Sequence, residues 1–207
     1  MSVYNYYNKV AKLYDYGFNV GSFWLMRRYQ REAVNELNLK KGDIVIDLGC
    51  GTGLLFKFLL DKIGKTGQII GIDISSGMLE IAKNRVKKNN WGNIELIQAD
   101  LSKANLNLTA DSAIFSLVLS LIPNYEEAIK NSLSLLKLNA PIVIADSWKK
   151  YYKWHHKLTN KLIDLKAPLV HSDPNNKIYE ILPKYLDNIT IEDKLLGLYS
   201  IAKGYSK

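Results

Sequence analysis

The segment Val45-Ile-Asp-Leu-Gly-Cys-Gly-Thr-Gly53 has the residue types and spacing of a ligand-binding loop. Its apolar, β-branched start predicts a buried strand that carries Asp47 to its carboxyl end. The glycines at 49, 51 and 53 predict a tight loop that opens a helix, where a ligand can approach the backbone closely. Backbone N–H groups at the start of a helix favour a carboxylate or a phosphate.

Two more aspartates follow the next two predicted strands. Asp73 lies 20 residues after Gly53, and Asp100 stands in the run Gln98-Ala-Asp-Leu. An acid at the first position can accept hydrogen bonds from both ribose hydroxyls of a nucleoside, and one at the second can accept from an adenine amino group. Because open α/β sheets bind ligands at the carboxyl ends of their strands, the loop and both acids predict one nucleoside site.

The spacing of the glycines distinguishes between nucleotide ligands. A dinucleotide fingerprint reads Gly-x-Gly-x-x-Gly, whereas this loop reads Gly-x-Gly-x-Gly. The sequence also lacks the Gly-Lys-Ser/Thr ending of a triphosphate-binding loop. A nucleotide triphosphatase is therefore not expected.

The elements that must position these residues alternate along the chain. Strands are predicted at 43–48, 68–73, 93–98, 111–119 and 141–146, and helices at 22–37, 54–63, 76–89 and 124–136. Such alternation is typical of an α/β fold with a parallel sheet and helices on both faces. Beyond residue 146, the patterns predict helices at 149–167 and 177–186, then strands at 188–196 and 198–205. Their short connection near Gly197 requires an antiparallel hairpin.

These motifs resemble those of class I S-adenosylmethionine-dependent methyltransferases over about residues 40–146. Asp47-Leu-Gly-Cys-Gly-Thr-Gly53 is similar to the first motif of that family, and Gly71-Ile-Asp-Ile-Ser75 with Met78 is similar to the second. Ala99-Asp100-Leu101 is similar to the third, and the run 113–120 matches the point where the fourth strand meets the cofactor. The resemblance implies a Rossmann-like, seven-stranded, mostly parallel sheet with its last strand antiparallel.

The resemblance also implies S-adenosylmethionine as the cofactor. It places the methionine moiety near Asp47 and the glycine loop, the ribose on Asp73 and the adenine near Asp100. The N-terminal segment 4–15 is similar to a lid of small-molecule and lipid methyltransferases, in which Tyr14 is either a cofactor contact or a core residue. The cofactor-binding residues expected on this basis are Asp47, Gly49, Cys50, Gly51, Gly53, Asp73, Ile74, Met78, Asp100, Leu101, Ser116 and Tyr14.

The methyl acceptor is indicated less directly. In-line methyl transfer needs positioning rather than a dedicated catalytic residue, and the sequence identifies none. The ending 195–205 is similar to the last hairpin of quinone and phospholipid methyltransferases, which implies a small or lipid-like acceptor. Residues expected near that acceptor are Ser120, Trp148, Tyr151 and His155. An RNA methyltransferase and a non-catalytic cofactor-binding module stay as alternatives.

The predicted helix after the fifth strand carries two unlike faces. Tyr151, Trp154 and a row of leucines share one face, while Lys149, Lys153, Lys157 and Lys161 repeat every four residues on another. This pattern suits a helix on an anionic membrane surface. It also suits a lid helix with its apolar face on the domain and its lysines in water, which we favour here.

Length and charge bear on the domain organisation, the location and the partners of the protein. The 207 residues suit one domain, divided into an N-terminal lid (1–40), a cofactor-binding core (41–146), an acceptor-side insertion (147–187) and a terminal hairpin (188–207). The net charge of +8 comes from the flanks, with +4 in 1–42 and +5 in 149–207 against −1 between them. We expect a cytoplasmic protein, peripheral to a membrane at most, with no metal, no signal peptide and no disulfide. Nucleic acid is not excluded, and no pattern indicates an oligomeric state.

Overall fold

The computed structural model of the protein describes residues 5–9, 11, 23–151, 153–173 and 175–207. Within them, seven strands form one sheet. The strands are β1 (Ile44–Leu48), β2 (Gln68–Asp73), β3 (Ile94–Gln98), β4 (Ser112–Ser116), β5 (Pro141–Asp146), β6 (Leu186–Lys194) and β7 (Tyr199–Ser206). The helices are α1 (Phe23–Glu36), α2 (Phe56–Ile63), α3 (Ser76–Lys88), α4 (Tyr125–Leu133), α5 (His156–Val170) and α6 (Ile178–Tyr185).

The strand order across the sheet is β3-β2-β1-β4-β5-β7-β6. The first five strands pair in parallel, whereas β7 pairs antiparallel with both β5 and β6. The predicted fold class is therefore confirmed, including the terminal hairpin, whose two strands are joined by Leu195–Gly197. Because β1 is central, its carboxyl end lies between the ends of β2 and β4, where the order of the chain reverses.

The core lies on both faces of the sheet. Val45 packs in one apolar cluster with α1 and α2, and Ile46 packs in the other with α4 and α6. Neighbouring residues of a strand point to opposite faces, so a sheet covered on both sides needs continuous apolar runs. This explains why the central strands were readily predicted from short β-branched segments.

The fourth strand is shorter than predicted, and its early end shapes the site. β4 stops at Ser116 because Leu117 adopts a left-handed conformation with φ +57°. The chain then turns through a short 3-10 helix at Leu119–Leu121 instead of continuing to residue 119 as a strand. This turn brings the apolar segment 117–123 beside the glycine loop.

The prediction of a helix from residue 149 is wrong at its start. α5 begins at His156, and the preceding residues run irregularly because Trp148 and Lys150 are buried. The Lys150 ammonium forms an ion pair with Asp193 on β6 and a hydrogen bond with Ser200 on β7. Asn160 of α5 bonds the backbone of Lys150 through both its side-chain oxygen and nitrogen. These contacts to the hairpin override the local helical pattern.

The favoured interpretation of the α5 faces is also wrong. The face packed on the domain includes His156, Thr159, Asn160, Ile163 and Ala167, which are buried. The row of leucines with Tyr151 and Trp154 points away from the domain and is exposed. Among the described residues, no helix combines the length and the apolar character needed to cross a bilayer.

Candidate active site

A cavity of about 290 Å³ opens at the carboxyl ends of β1, β2 and β4. It brings together residues that are far apart in the chain, from the N-terminal segment to the turn after β4. Ten of the predicted cofactor-binding residues line it: Asp47, Gly49, Cys50, Gly51, Asp73, Ile74, Met78, Asp100, Leu101 and Ser116. Gly53 is not among the lining residues, and Tyr14 lies outside the described residues.

Glycine is needed at each of the three loop positions for a different structural reason. All three have positive φ, namely +72° at Gly49, +54° at Gly51 and +76° at Gly53. A side chain at Gly49 would overlap Val118, and one at Gly53 would overlap the ring of Phe56. A side chain at Gly51 would meet no protein atom within 4 Å and would project into open space. Gly51 therefore leaves room for a ligand beside the backbone, whereas Gly53 permits packing of the helix that follows.

Asp73 is fixed by backbone donors. Its Oδ2 accepts from the N–H of Gly51 at 2.8 Å, and its Oδ1 accepts from the N–H of Ser75 at 2.8 Å. Burial raises its pKa, and these hydrogen bonds oppose that effect. Each carboxylate oxygen can accept more than one hydrogen bond, so both oxygens keep capacity for ligand hydroxyls.

The hydrogen-bonding surroundings of Asp47 differ from those of Asp73. It is buried at the cavity wall, and no residue in the described part of the chain donates a hydrogen bond to its carboxylate. Burial, with repulsion from Asp73, raises its pKa to about 8. A buried acid without a partner is unfavourable unless a ligand supplies positive charge or donors. S-adenosylmethionine carries a sulfonium and an ammonium group, so the open space at Gly51 and the lone acid at Asp47 fit that cofactor.

The remaining predicted residues border the same cavity. Asp100 is half-buried, which by itself would raise its pKa, but hydrogen bonds from Ser102 and the charge of Lys103 lower the pKa overall. Met78 is buried beneath the start of α3. Burial raises the pKa of the Cys50 thiol well above its usual range, as do the nearby Asp47 and Asp73, which favours the neutral thiol over the nucleophilic thiolate.

An N-terminal contact closes one side of the cavity. Asn8 Oδ1 accepts from the Ser75 hydroxyl at 2.6 Å and from the N–H of Gly77 at 2.9 Å, at the start of α3. Tyr7 lines the cavity and donates its hydroxyl to the carbonyl of Val170 at 3.1 Å. The sequence had directed attention to Tyr14, and the tyrosine-rich composition of 4–7 was the only signal that could have identified Tyr7.

The far side of the cavity is mostly apolar. It is formed by Leu117, Val118, Leu121, Ile122 and Pro123, which follow β4. Sequence reasoning missed these residues because apolar side chains there look like ordinary core.

Two polar groups border this apolar wall. Gln30 of α1 is buried and lines the cavity, and its Oε1 has no hydrogen-bond partner among the described residues. Ser116 also lines the cavity, and its hydroxyl lies beside the buried Tyr199 side chain. A glutamine in mid-helix carries no motif, so nothing in the sequence distinguishes Gln30 from its neighbours.

The four residues expected near the acceptor do not line this cavity. Ser120 is buried and donates to Asp146 at 2.9 Å, while Trp148 is buried in the core. Tyr151 is exposed, and His155 packs edge-on between Trp154 and His156 at the start of α5. None of the described residues of the segment 147–187 is part of the cavity wall.

Comparison with known proteins places this arrangement in a family. A model of the methyltransferase domain family matches residues 39–192. The chain belongs to that family. Membership confirms the resemblance to class I S-adenosylmethionine-dependent methyltransferases, and with it methyl transfer as the activity and S-adenosylmethionine as the cofactor.

Curated relatives cover most of the chain at low identity. The chain is 28% identical to the demethylmenaquinone methyltransferase of Staphylococcus saprophyticus over 167 residues, which cover 75% of this chain and 69% of that protein. It is 25% identical to the demethylmenaquinone methyltransferase of Listeria monocytogenes over 158 residues, which cover 72% of this chain and 67% of that protein.

Solved structures share the fold. The N-methyltransferase NodS from Bradyrhizobium japonicum, solved with S-adenosyl-L-homocysteine, aligns over 100% of this chain and 99% of its own with a TM-score of 0.72 at 14% identity. Geranyl diphosphate C-methyltransferase from Streptomyces coelicolor aligns over 87% of this chain and 76% of its own, with a TM-score of 0.70 at 11% identity. At such identities the likeness concerns the fold alone.

Proposed function

We propose that the protein transfers a methyl group from S-adenosylmethionine to a small, lipid-like acceptor with a quinone-like head. The observation that carries this proposal is the apolar wall of segment 117–123, which adjoins the glycine loop at the end of β4. Apolar walls with few polar groups are typical of sites for small apolar ligands. The relatives named demethylmenaquinone methyltransferase act, by their names, on an acceptor of this class.

The chain's own residues divide into those that hold the cofactor and those that face the acceptor. Asp73 would accept the ribose hydroxyls, and the open backbone at Gly51 would admit the methionine moiety. Asp47 would lie near the positive charge of the cofactor, and Asp100 near the adenine. When bound, the cofactor supplies an electrophilic methyl group.

On the acceptor side, Gln30 and Ser116 offer polar atoms beside the apolar wall. Among the described lining residues, the only carboxylates are Asp47, Asp73 and Asp100, and none is a histidine. These residues therefore position the acceptor and exclude water rather than remove its proton. For a phenolic head, whose pKa is about 10 like that of tyrosine, methylation of a ring carbon would replace the hydrogen on that carbon, and the one proton released overall would pass to solvent.

The first experiment is incubation with methyl-labelled S-adenosylmethionine and a cell lysate divided into lipid, RNA and small-molecule fractions. Label in the lipid or small-molecule fraction supports the proposal. The Asp73→Ala variant should abolish this label, and Asp61→Ala, a matched change of an exposed aspartate on α2, should not. A short-tailed demethylated quinol then serves as a defined acceptor.

Each other outcome has a definite meaning. Label only in RNA contradicts the acceptor class while keeping the fold and the cofactor. Cofactor binding with no label in any fraction contradicts catalysis and supports the non-catalytic module.

A further inference from the structure

The outward face of α5 carries an apolar stripe. Leu158, Leu162 and Leu165 recur at helical spacing, so they share one side of the helix. Together with two aromatic residues just before the helix they define the α5 stripe, with exposed fractions of 73% for Tyr151, 88% for Trp154, 63% for Leu158, 43% for Leu162 and 73% for Leu165. Single exposed apolar residues are ordinary on protein surfaces, but a contiguous set marks a binding surface.

The stripe is not available to the protein's own core. The helix packs on the domain through the opposite side, where Asn160, Ile163 and Ala167 are buried. The hairpin holds the start of the segment in this orientation through the buried pair of Lys150 and Asp193. Rotation of the helix to bury the leucines would remove the present packed side from the core, so the exposed stripe is a fixed feature of the fold.

Positive charge flanks the stripe. The segment 147–170 contains six lysines and one acid, Asp164, and that acid pairs with Lys149 at 2.6 Å. Lys157 and Lys161 lie one residue before Leu158 and Leu162, so they border the leucines along one side. Both are exposed, and neither forms an ion pair within the described ranges. The surface therefore combines an apolar strip with uncompensated positive charge.

We propose that the α5 stripe and its lysines bind an anionic lipid bilayer, with the helix lying in the plane of the interface. Leucines of an interfacial helix enter the acyl boundary, tryptophan and tyrosine prefer the headgroup level, and lysines meet anionic headgroups. An apolar helix face with no charge would suit a second protein chain equally well. The flanking lysines favour the bilayer, because they complement a surface with a dense negative charge.

The stripe is connected to the cavity at the end of α5. Val170, the last residue of the helix, accepts the hydroxyl of Tyr7, which lines the cavity. A bilayer bound along α5 would therefore lie close to one border of the cavity. The docking itself stands on exposure and charge, and it does not depend on the identity of the acceptor.

The test is sedimentation of the full chain with vesicles of phosphatidylcholine alone and with roughly 30% phosphatidylglycerol. We expect binding to the anionic vesicles only, weakened at least about tenfold in Leu158→Ser/Leu165→Ser, since each leucine contributes favourable burial. Leu138→Ser is the matched control, because Leu138 is equally exposed (75%) but lies before β5, at the opposite end of the strands from the cavity. Thermal melts of every variant confirm folding.

The charge is tested separately with a matched pair of variants. Lys157→Glu/Lys161→Glu should reduce binding at least about tenfold, as each lysine near an anionic surface contributes about 1 kcal/mol. Lys83→Glu/Lys87→Glu makes the same change at the same spacing on α3 and should bind almost as the unmodified chain does. Roughly 0.5 M salt should weaken binding of the unmodified chain.

Three results would overturn the proposal. One is equal binding to both vesicle types, and another is unchanged binding by the serine variant. The third is a dimer in analytical ultracentrifugation that the serine changes dissociate, which would assign the stripe to a second copy of the chain. None of these readouts uses methyl transfer, so they remain distinct from a failure of the proposed function.

Discussion

Two buried aspartates, 26 residues apart in the chain, line one cavity with different surroundings. Asp73 accepts two backbone hydrogen bonds, while Asp47 accepts none from the described residues. Because burial and repulsion from Asp73 raise the pKa of Asp47 to about 8, we expect its carboxyl group to be mostly protonated at neutral pH in the free protein. This makes Asp47 the residue whose protonation should report on the cofactor.

Cofactor binding is expected to release a proton from Asp47. A positive ligand favours the ionised acid, so it lowers a pKa that is about 8 in the free protein. At about pH 6.5, where an α-amino group with a pKa near 8 is already charged, binding should release up to about one proton. The affinity should therefore increase as the pH rises toward 8.

Calorimetry in two buffers with different heats of ionisation measures this proton directly. Asp47→Asn cannot release it and should show the same binding heat in both buffers. If that variant released as many protons as the unmodified chain, another group would be responsible.

Two glycines of the same loop are expected to respond differently to alanine. Gly51→Ala places a methyl group in open space, so its cost to folding is the left-handed strain of about 1–2 kcal/mol, but the methyl occupies room that the cofactor needs. Gly53→Ala drives a methyl group into the ring of Phe56, so it should destabilise the fold more strongly. Thermal melts and cofactor titrations separate the two effects. The reverse order of stabilities would contradict the assignment.

At the scale of elements, the N-terminal turn should control how long the cofactor stays bound. Asn8→Ala removes the acceptor for two hydrogen bonds at the start of α3, each contributing about 1 kcal/mol. We expect faster cofactor dissociation, by roughly tenfold. Stopped-flow displacement measures the rate, and Asn35→Ala, on the exposed side of α1, is the control. An unchanged rate in Asn8→Ala would show that this contact does not close the cavity.

The attachment of α5 to the hairpin depends on a buried ion pair. Asp193→Asn leaves the buried ammonium of Lys150 without its carboxylate, which should cost about 3–5 kcal/mol of stability. Lys150→Met/Asp193→Asn removes both charges and should recover much of that loss. Denaturant unfolding measures the difference. Asp61→Asn, in an exposed pair with Lys57, should change stability by less than about 1 kcal/mol.

The same pair shows why part of the fold escaped prediction. Short apolar, β-branched runs identified β1, β2 and β5 because burial on both faces leaves a local signature. The predicted helix begins at Lys149, but a partner on a distant strand holds Lys150, and the helix begins only at His156. Sequence periodicity cannot register such a contact, and it also could not tell which side of α5 faces the domain.

The residues of the candidate site also differ in whether the sequence could predict them. Cavity-lining residues in one continuous loop, such as Asp47 and Gly51, were predicted from their order and spacing. The apolar wall after β4 and Gln30 come from separate elements and have the composition of ordinary core and helix. Their contribution becomes visible only once the chain is folded, since no spacing rule connects them.

At the scale of the whole molecule, the basic flanks and the α5 stripe would concentrate the enzyme where a lipid-like acceptor resides. Residues 149–207 carry a net charge of +5, and the stripe lies within them. Rates on an acceptor embedded in anionic vesicles should therefore depend on docking, while rates on a short-tailed acceptor in water should not.

Leu158→Ser/Leu165→Ser provides the decisive comparison. We expect about a tenfold lower rate on the vesicle-embedded acceptor, because less enzyme is bound at the surface, with an unchanged rate on the short-tailed acceptor. Both rates are measured with methyl-labelled cofactor, and Leu138→Ser should alter neither. If both rates fell together, the leucines would act on the cavity through α5 and Tyr7 rather than through the membrane. If neither fell, surface binding would not limit access of the acceptor to the site.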